Sequence, residues 1–219
     1  MKLKVCGMKY QDNILKVSAL KPDYIGFIFY EKSPRFVSES ISEIPKNIKK
    51  VGVFVNASID TITNTINKFG LNVVQLHGDE TAEFCKKIRT KNIEIIKVFS
   101  VKNNFNFKKL KPFEDHVDYF LFDTKGPNPG GNGYCFDWSI LKNYDSKTPY
   151  FLSGGIGLEE IETLNEFKNS VAAKQCYAID VNSKFEIKPD SDSISFSHIG
   201  FENTTVEIKN SMYIKMTRK

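Results

Sequence analysis

Leu3-Lys4-Val5-Cys6-Gly7-Met8 is a short apolar run that closes on a turn with a single glycine. The run is too short for a helix. Its turn lacks the G-x-G-x-x-G pattern that opens a doubly wound, dinucleotide-binding sheet. Runs of the same kind recur at Tyr24–Phe29, Val51–Val55, Val73–Leu76, Ile93–Phe99, Val117–Phe122, Tyr150–Leu152 and Tyr177–Val181. Gly, Pro, Asn, Asp or Lys bounds each one. Most are continuously apolar rather than alternating, which is the pattern of parallel strands covered on both faces.

Helical spacing fills the gaps. Ile59, Ile62, Ile66 and Phe69 recur at intervals of three and four, with Ser58 as the expected cap and Gly70 as the stop. Asp79 is the expected cap of a helix burying Phe84, Cys85 and Ile88. Asp12 is the expected cap of one carrying Ile14, Val17 and Leu20. Leu158, Ile161 and Leu164 mark another stripe. Eight strands alternating with helices, roughly 21 to 30 residues apart, predict a (β/α)8 TIM barrel, an α/β fold. No Pro/Gly/Ser-rich linker interrupts the chain, so residues 1–219 read as a single such barrel. The segment 188–219 is atypical: Ser191–Ser197 alternates like a strand where a barrel needs its last helix.

The chain has 219 residues, 41% hydrophobic and 26% charged, with a formal charge of +5. That is enough for one sizeable core and is not the composition of a disordered chain. No apolar run reaches the roughly 18–20 residues that span a bilayer, and the N-terminus has no apolar core of a secretory signal. A cytoplasmic protein without membrane association is expected. The basic residues are interspersed rather than clustered, so no nucleic-acid partner is expected. Cys6, Cys85, Cys135 and Cys176 form no CxxC pair and no histidine lies at ligand spacing, so reduced thiols and no metal are expected.

In such a barrel, polar residues at the C-terminal ends of the strands face the active site. Here these are Cys6, His77, Asp123, Ser153 and Asp180, with Arg35 in the loop after the second strand. A cysteine and an aspartate on opposite sides suggest a base and an acid acting on one substrate. Taken alone, Cys6 reads equally as a small buried filler, and Asp123 as a turn residue. Ser153-Gly154-Gly155-Ile156-Gly157 follows the seventh strand and Asp180-Val181-Asn182-Ser183-Lys184 ends the eighth, where barrels of this kind bind phosphate. Arg35 can fork onto a carboxylate or phosphate. His77 reads as a hydrogen-bonded structural histidine. The long irregular stretch Lys125–Phe136 falls on the catalytic face. Lys4 lies two residues before Cys6 and so shares its face. An interior ammonium there is expected to lower the thiol below its ordinary value of about 8.5, unless Lys4 pairs with an interior carboxylate.

Taken in order, these segments resemble the phosphoribosylanthranilate isomerase family. The match runs through Lys4-Val5-Cys6-Gly7-Met8, Gly26-Phe27-Ile28-Phe29 with Ser33-Pro34-Arg35, Val51-Gly52-Val53-Phe54-Val55-Asn56, and Gln75-Leu76-His77-Gly78. It continues through Phe122-Asp123-Thr124, Gly130-Gly131-Asn132-Gly133 with Phe136-Asp137-Trp138, and Leu152-Ser153-Gly154-Gly155-Ile156. The resemblance covers about residues 2–187. It implies a TIM barrel that uses no cofactor and acts on a small sugar phosphate, as a monomer or homodimer. By the same resemblance Cys6 takes the general-base position and Asp123 the general-acid position. Arg35 would hold the anthranilate carboxylate and Asp180 the amine and hydroxyl groups. Gly154, Gly155, Asn182 and Ser183 would hold the phosphate. Two stretches depart from the family pattern. Asn182-Ser183-Lys184 stands where Ser-Ser-Gly is common, and Lys188-Pro189-Asp190-Ser191 stands where a Pro-Gly…Lys-Asp element is usual.

The chemistry fits these residues independently. Opening a furanose needs a proton on the ring oxygen, and an acid at Asp123 can deliver it. The resulting iminium acidifies the C2 proton, which a thiolate can remove, each transfer being worth about 10²–10⁴-fold. A barrel that merely binds a sugar phosphate has no need of this pair. An indole-glycerol-phosphate synthase would need catalytic lysines and glutamates on the strand ends, which do not occur here as a set.

Overall fold

The computed structural model describes residues 1–41, 43–90, 92–102, 104–124, 126 and 135–182, and the backbone of 193–195 and 205–207. Eight parallel strands close into a barrel in sequence order. They are β1 (Lys2–Cys6), β2 (Tyr24–Ile28), β3 (Lys49–Phe54), β4 (Val73–Leu76), β5 (Glu94–Val101), β6 (Tyr119–Thr124), β7 (Tyr150–Leu152) and β8 (Cys176–Val181). Each apolar run of the sequence became a strand, shifted by at most a few residues at its ends.

Period-two alternation divides the core in two. Val51, Val73, Ile96, Leu121, Phe151 and Ala178 point inward and pack together with Tyr24. Leu3, Val5, Ile25, Phe27, Phe54, Val74, Leu76, Ile95, Phe120, Phe122, Leu152 and Ile179 point outward, into the layer beneath the helices. Helix α1 is Gln11–Ala19, α2 is Ile59–Phe69, α3 is Ala82–Ile88 and α4 is Ile161–Lys168. The ends of α2 follow the local code. Ser58 Oγ accepts from the Thr61 amide, and Gly70 ends the helix in the left-handed region at φ 60°.

Two caps differ from the sequence reading. Thr81, not Asp79, caps α3 by accepting from the Phe84 amide, because the helix starts only at Ala82; the Asp79 amide donates to Asn56 Oδ1 at 2.7 Å in the turn before it. Helix α1 starts after Tyr10 with no side-chain cap, and Asp12 lies inside its first turn, where a carboxylate meets the helix dipole instead.

The strand–helix alternation is also less regular than expected. Among the described residues no helix joins β2 to β3, a segment holding Pro34 and Pro45. The connections after β5 and β6 carry 3₁₀ turns, Phe107–Phe113 and Trp138–Asn143. Pro112 inside the first of these removes the amide that an α-helix would need. In the atypical C-terminal region, 193–195 pairs antiparallel with 205–207, in keeping with the alternation read there. The remainder of 188–219, where a last helix was sought, lies outside the described residues.

No helix among the described residues is long and apolar enough to cross a membrane. The four cysteines carry free thiols. The end of the barrel where the strands begin holds a polar cavity of about 590 Å³. Its charges are spent on one another, as Lys49–Glu94 and Arg89–Asp118, so the chemistry is to be sought at the opposite end.

Candidate active site

Strand register decides which side chains meet. Following it around the barrel, with the lean of about one residue per strand that eight strands require, sorts the interior into layers. Lys4, Val51, Ile96 and Phe151 form one. Gly26, Gln75, Leu121 and Asp180 form the next, then Cys6, Val53, Val98 and Ser153. Ile28, His77, Asp123 and Asn182 fall at the mouth.

On one side stand Cys6, Lys4, Asp180 and Arg35. Cys6 is 4% exposed. Its thiol fits because Gly26 is its neighbour on β2: a Cβ at Gly26 would lie 2.7 Å from Cys6 Sγ. Gly7, at φ +80°, does the same for Arg35, whose Nη1 would be 2.6 Å from a Cβ there. The guanidinium is thereby laid over the turn that follows the thiol. Lys4 is fully buried and donates to Asp180 Oδ1 at 2.8 Å. Ser153 Oγ is 3.4 Å from Asp180 Oδ2. Lys4 therefore has the interior carboxylate that was the alternative to acting on the thiol.

The electrostatics follow from this pairing. Burial disfavours charge on Lys4, yet Asp180 and then Cys6 hold it above the ordinary lysine value. Burial pushes Asp180 above the ordinary carboxylate range, against the pull of Lys4. Burial also pushes the Cys6 thiol up, and Lys4 and Arg35 only partly offset it. This corrects the expectation that Lys4 lowers the thiol below its ordinary value. The lysine's charge is spent on Asp180, and desolvation of a thiolate costs more than the remainder returns.

On the other side Asp123 ends β6, 4% exposed. Its Oδ1 accepts from the Thr124 amide at 2.9 Å. Its Oδ2 faces His77 Nε2 at 3.6 Å, just beyond hydrogen-bond length. His77 is thus a neighbour of Asp123, and no hydrogen bond of its side chain replaces that contact among the described residues. Asp123 adds to the upward push on Asp180, and His77 opposes it.

Glu80 and Lys97, which frame His77, escape the reading of the sequence. Glu80 accepts from the Asn56 amide at 2.8 Å and from the Gly78 amide at 3.0 Å. Lys97 donates to Glu80 at 3.0 Å, to the Gly78 carbonyl at 2.7 Å and to the Leu76 carbonyl at 3.3 Å. A charged residue inside the β5 run was the only available signal. Gln75 was missed as well. It is buried in the Asp180 layer with its Oε1 unpartnered.

Gly154 and Gly155 follow β7 with φ of +91° and +74°. A Cβ at Gly154 would lie 2.3 Å from Thr124 Oγ1, so this turn packs directly on the strand that carries Asp123. Asn182 ends β8 with its Oδ1 buried and unpartnered. Ser183 and Lys184, and most of the stretch 125–136, lie outside the described residues. Among the described residues no group of three or more His, Cys, Asp or Glu could hold a metal ion.

The profile of the family described as N-(5'phosphoribosyl)anthranilate (PRA) isomerase matches residues 3–194. The chain belongs to this family. The N-(5'-phosphoribosyl)anthranilate isomerase of Parabacteroides distasonis is 43% identical over 195 residues, which is 86% of each chain. That of Staphylococcus aureus strain MRSA252 is 40% identical, over 78% of this chain and 83% of the relative. The phosphoribosyl anthranilate isomerase structure from Thermotoga maritima is 31% identical, with a TM-score of 0.68, covering 84% of this chain and 88% of that one. Another isomerase structure of the family, 28% identical with a TM-score of 0.64 over 84% of this chain and 88% of that one, is a complex with reduced 1-(O-carboxyphenylamino)-1-deoxyribulose 5-phosphate. As a phosphoribosylanthranilate isomerase family member, the chain has the barrel that its strand pattern predicted. The family likeness extends past β8, where the sequence departs from the usual pattern.

Proposed function

We propose that the chain isomerises N-(5-phosphoribosyl)anthranilate to 1-(2-carboxyphenylamino)-1-deoxyribulose 5-phosphate, the Amadori rearrangement of tryptophan biosynthesis, in the cytoplasm and as a monomer or homodimer. The carrying observation is a buried thiol, Cys6, at the end of β1 and a buried carboxylate, Asp123, near the end of β6, both at the same end of the barrel. Binding alone needs no such arrangement.

Asp123, as an acid, protonates the furanose ring oxygen. The C1–O bond breaks with its electron pair going to that oxygen, and the nitrogen lone pair forms the C1=N iminium. Cys6, as thiolate, takes the C2 proton. The C–H pair becomes the C1=C2 bond and the iminium π pair returns to nitrogen. The enaminol then loses its hydroxyl proton and gains one at C1, leaving a ketone at C2. Protons balance across the sequence, and no cofactor is called for.

The thiolate is the form that acts. The Cys6 proton passes to solvent before the C2 proton is taken, against burial that Lys4 and Arg35 partly offset. The cationic iminium formed beside the sulfur favours the thiolate further. Arg35, laid over the turn after Cys6, fits the anthranilate carboxylate. Asp180 suits the amine and hydroxyl groups. Gly154, Gly155, Asn182 and Ser183 suit the phosphate, at the loops where such barrels take it.

A direct isomerase assay on freshly made substrate tests this reading. The intact protein should turn it over. Cys6→Ala and Asp123→Asn should each lower kcat by about 10²–10⁴-fold with little change in affinity for the reduced product analogue. No turnover by the intact protein refutes the activity. Near-normal kcat in Asp123→Asn refutes the acid.

A further inference from the structure

We propose that His77 is a positioning residue for Asp123, and that the buried Lys97–Glu80 ion pair is the device that fixes it there. The inference rests on the isomerase reading above and adds to it the parts that aim the acid.

The argument begins with cost. Lys97 and Glu80 side chains are 3% and 2% exposed. Taking two charges out of water is expensive, and an apolar pair of similar volume is often as stable or more so. A buried pair is therefore weak evidence of a stability role, and its other bonds have to say what it does.

Those bonds converge on one residue. Lys97 holds the carbonyls of Leu76 and Gly78, on either side of His77. Glu80 holds the Gly78 amide, and the Asn56 amide at the end of β3. The His77 amide is itself bound to the Phe54 carbonyl at 2.8 Å. The backbone is thus held before, at and after His77, just where β4 ends and a loop would otherwise be free to move. Gly78 is part of the clamp. A Cβ there would lie 2.3 Å from Asn56 Oδ1, so the turn closes this tightly only without a side chain.

The side chain so held reaches Asp123. Thr124 occupies Oδ1 through its amide, and His77 Nε2 faces the other oxygen, Oδ2, at 3.6 Å. That leaves Oδ2 as the oxygen that exchanges a proton. An imidazole packed beside Oδ2 limits how the carboxyl group can turn, and a small approach from 3.6 Å brings Nε2 within hydrogen-bond reach once the proton has gone to the substrate. A carboxyl misaimed by about 1 Å can cost on the order of 10²-fold in rate.

The test is Glu80→Gln together with Lys97→Met. Gln retains an acceptor for the backbone amides, and Met retains the lysine's length without its charge. The double variant should fold, keep KM within about twofold, and lose about 10- to 100-fold in kcat. Lys97→Arg, which keeps a donor, should recover part of the loss. A second reading is independent of turnover. The chain has 3 histidines, so the His77 ring resonances can be assigned with a His77→Gln control. In the otherwise wild-type protein Asp123→Asn should move them; in the double variant it should not. Should the double variant fold poorly, Glu80→Gln alone carries the same two measurements. Unchanged kcat, or His77 resonances that still respond to Asp123→Asn, overturns the proposal. An intact protein without isomerase activity would overturn the parent reading instead, and the resonance experiment would still decide whether the pair aims His77.

Discussion

Replacing Gly154 with alanine separates backbone strain from steric conflict at the turn behind the acid. Gly154 has φ +91°, and an added Cβ would lie 2.3 Å from Thr124 Oγ1, 2.5 Å from Thr124 N and 2.8 Å from Thr124 Cβ. Two of those three atoms cannot swing away, because one is backbone and one is bonded to it. The left-handed conformation costs an L-residue roughly 1–2 kcal/mol. Forcing an extra methyl into a filled site costs roughly 1–3 kcal/mol more. The expected loss is about 2–5 kcal/mol in total, or roughly 4–20 °C in Tm for a chain of this size.

Gly70→Ala supplies the comparison. Its φ is +60°, but the nearest atom to its Cβ is Lys50 Nζ at 3.2 Å, the far end of a flexible chain that donates to the Phe69 carbonyl and can shift by a few tenths of an ångström. Only the strain of about 1–2 kcal/mol should remain there. Urea unfolding of both variants measures the difference, and isomerase kinetics should show a second one. Pushing Thr124 disturbs the amide that holds Asp123 Oδ1 at 2.9 Å, so kcat should fall in Gly154→Ala and stay normal in Gly70→Ala. Equal stability losses in the two variants, or normal kcat in Gly154→Ala, would refute the reasoning.

Three further outcomes follow from the same site. Gly26→Ala should cost roughly 1–3 kcal/mol by overpacking and displace the thiol, since its Cβ would lie 2.7 Å from Cys6 Sγ; an alkylation rate for Cys6 equal to that of the intact protein would contradict this. Lys4→Met strands the buried Asp180 carboxylate and should destabilise by roughly 3–5 kcal/mol, with part of the loss recovered by adding Asp180→Asn; denaturant midpoints that fall further in the double variant would contradict this. Stability should also decline in alkali. Burial pushes Cys85 up to about 11 and Cys176 up to about 12 from an ordinary thiol value of 9.0, and raises Tyr24 and Tyr150. Between the ordinary and the raised values the unfolded chain has lost protons that the folded one keeps, so unfolding free energy falls as pH rises. A Tm that holds or climbs from pH 9 to about pH 11 would show the sign to be wrong.

The sequence by itself determined the strands, because a short continuous apolar run can be satisfied in only a few ways. Eight of them at barrel spacing, with no glycine-rich first turn, left little alternative to closure. The ends of α2 were equally legible, since Ser58 and Gly70 act within a single turn of chain. Cys6, Asp123, Asp180 and Arg35 could be singled out because polar groups ending apolar strands have to face the mouth. What the sequence could not supply was anything that depends on register between distant strands. Lys4 finds Asp180 176 positions away, and burial of the thiol outweighs what the lysine's nearness returns to it. Thr81 caps in place of Asp79 because the helix starts only at Ala82, after a turn that Asn56 and Glu80 tie to the chain leaving β3. Lys97 looks like an interruption of β5 until closure brings it to Glu80, and His77 looks structural until the lean of the strands sets it level with Asp123. Local apolar pattern is a property of a segment and survives in isolation. A buried charge has no meaning until the fold chooses its partner, and that choice is made by the barrel's closure alone.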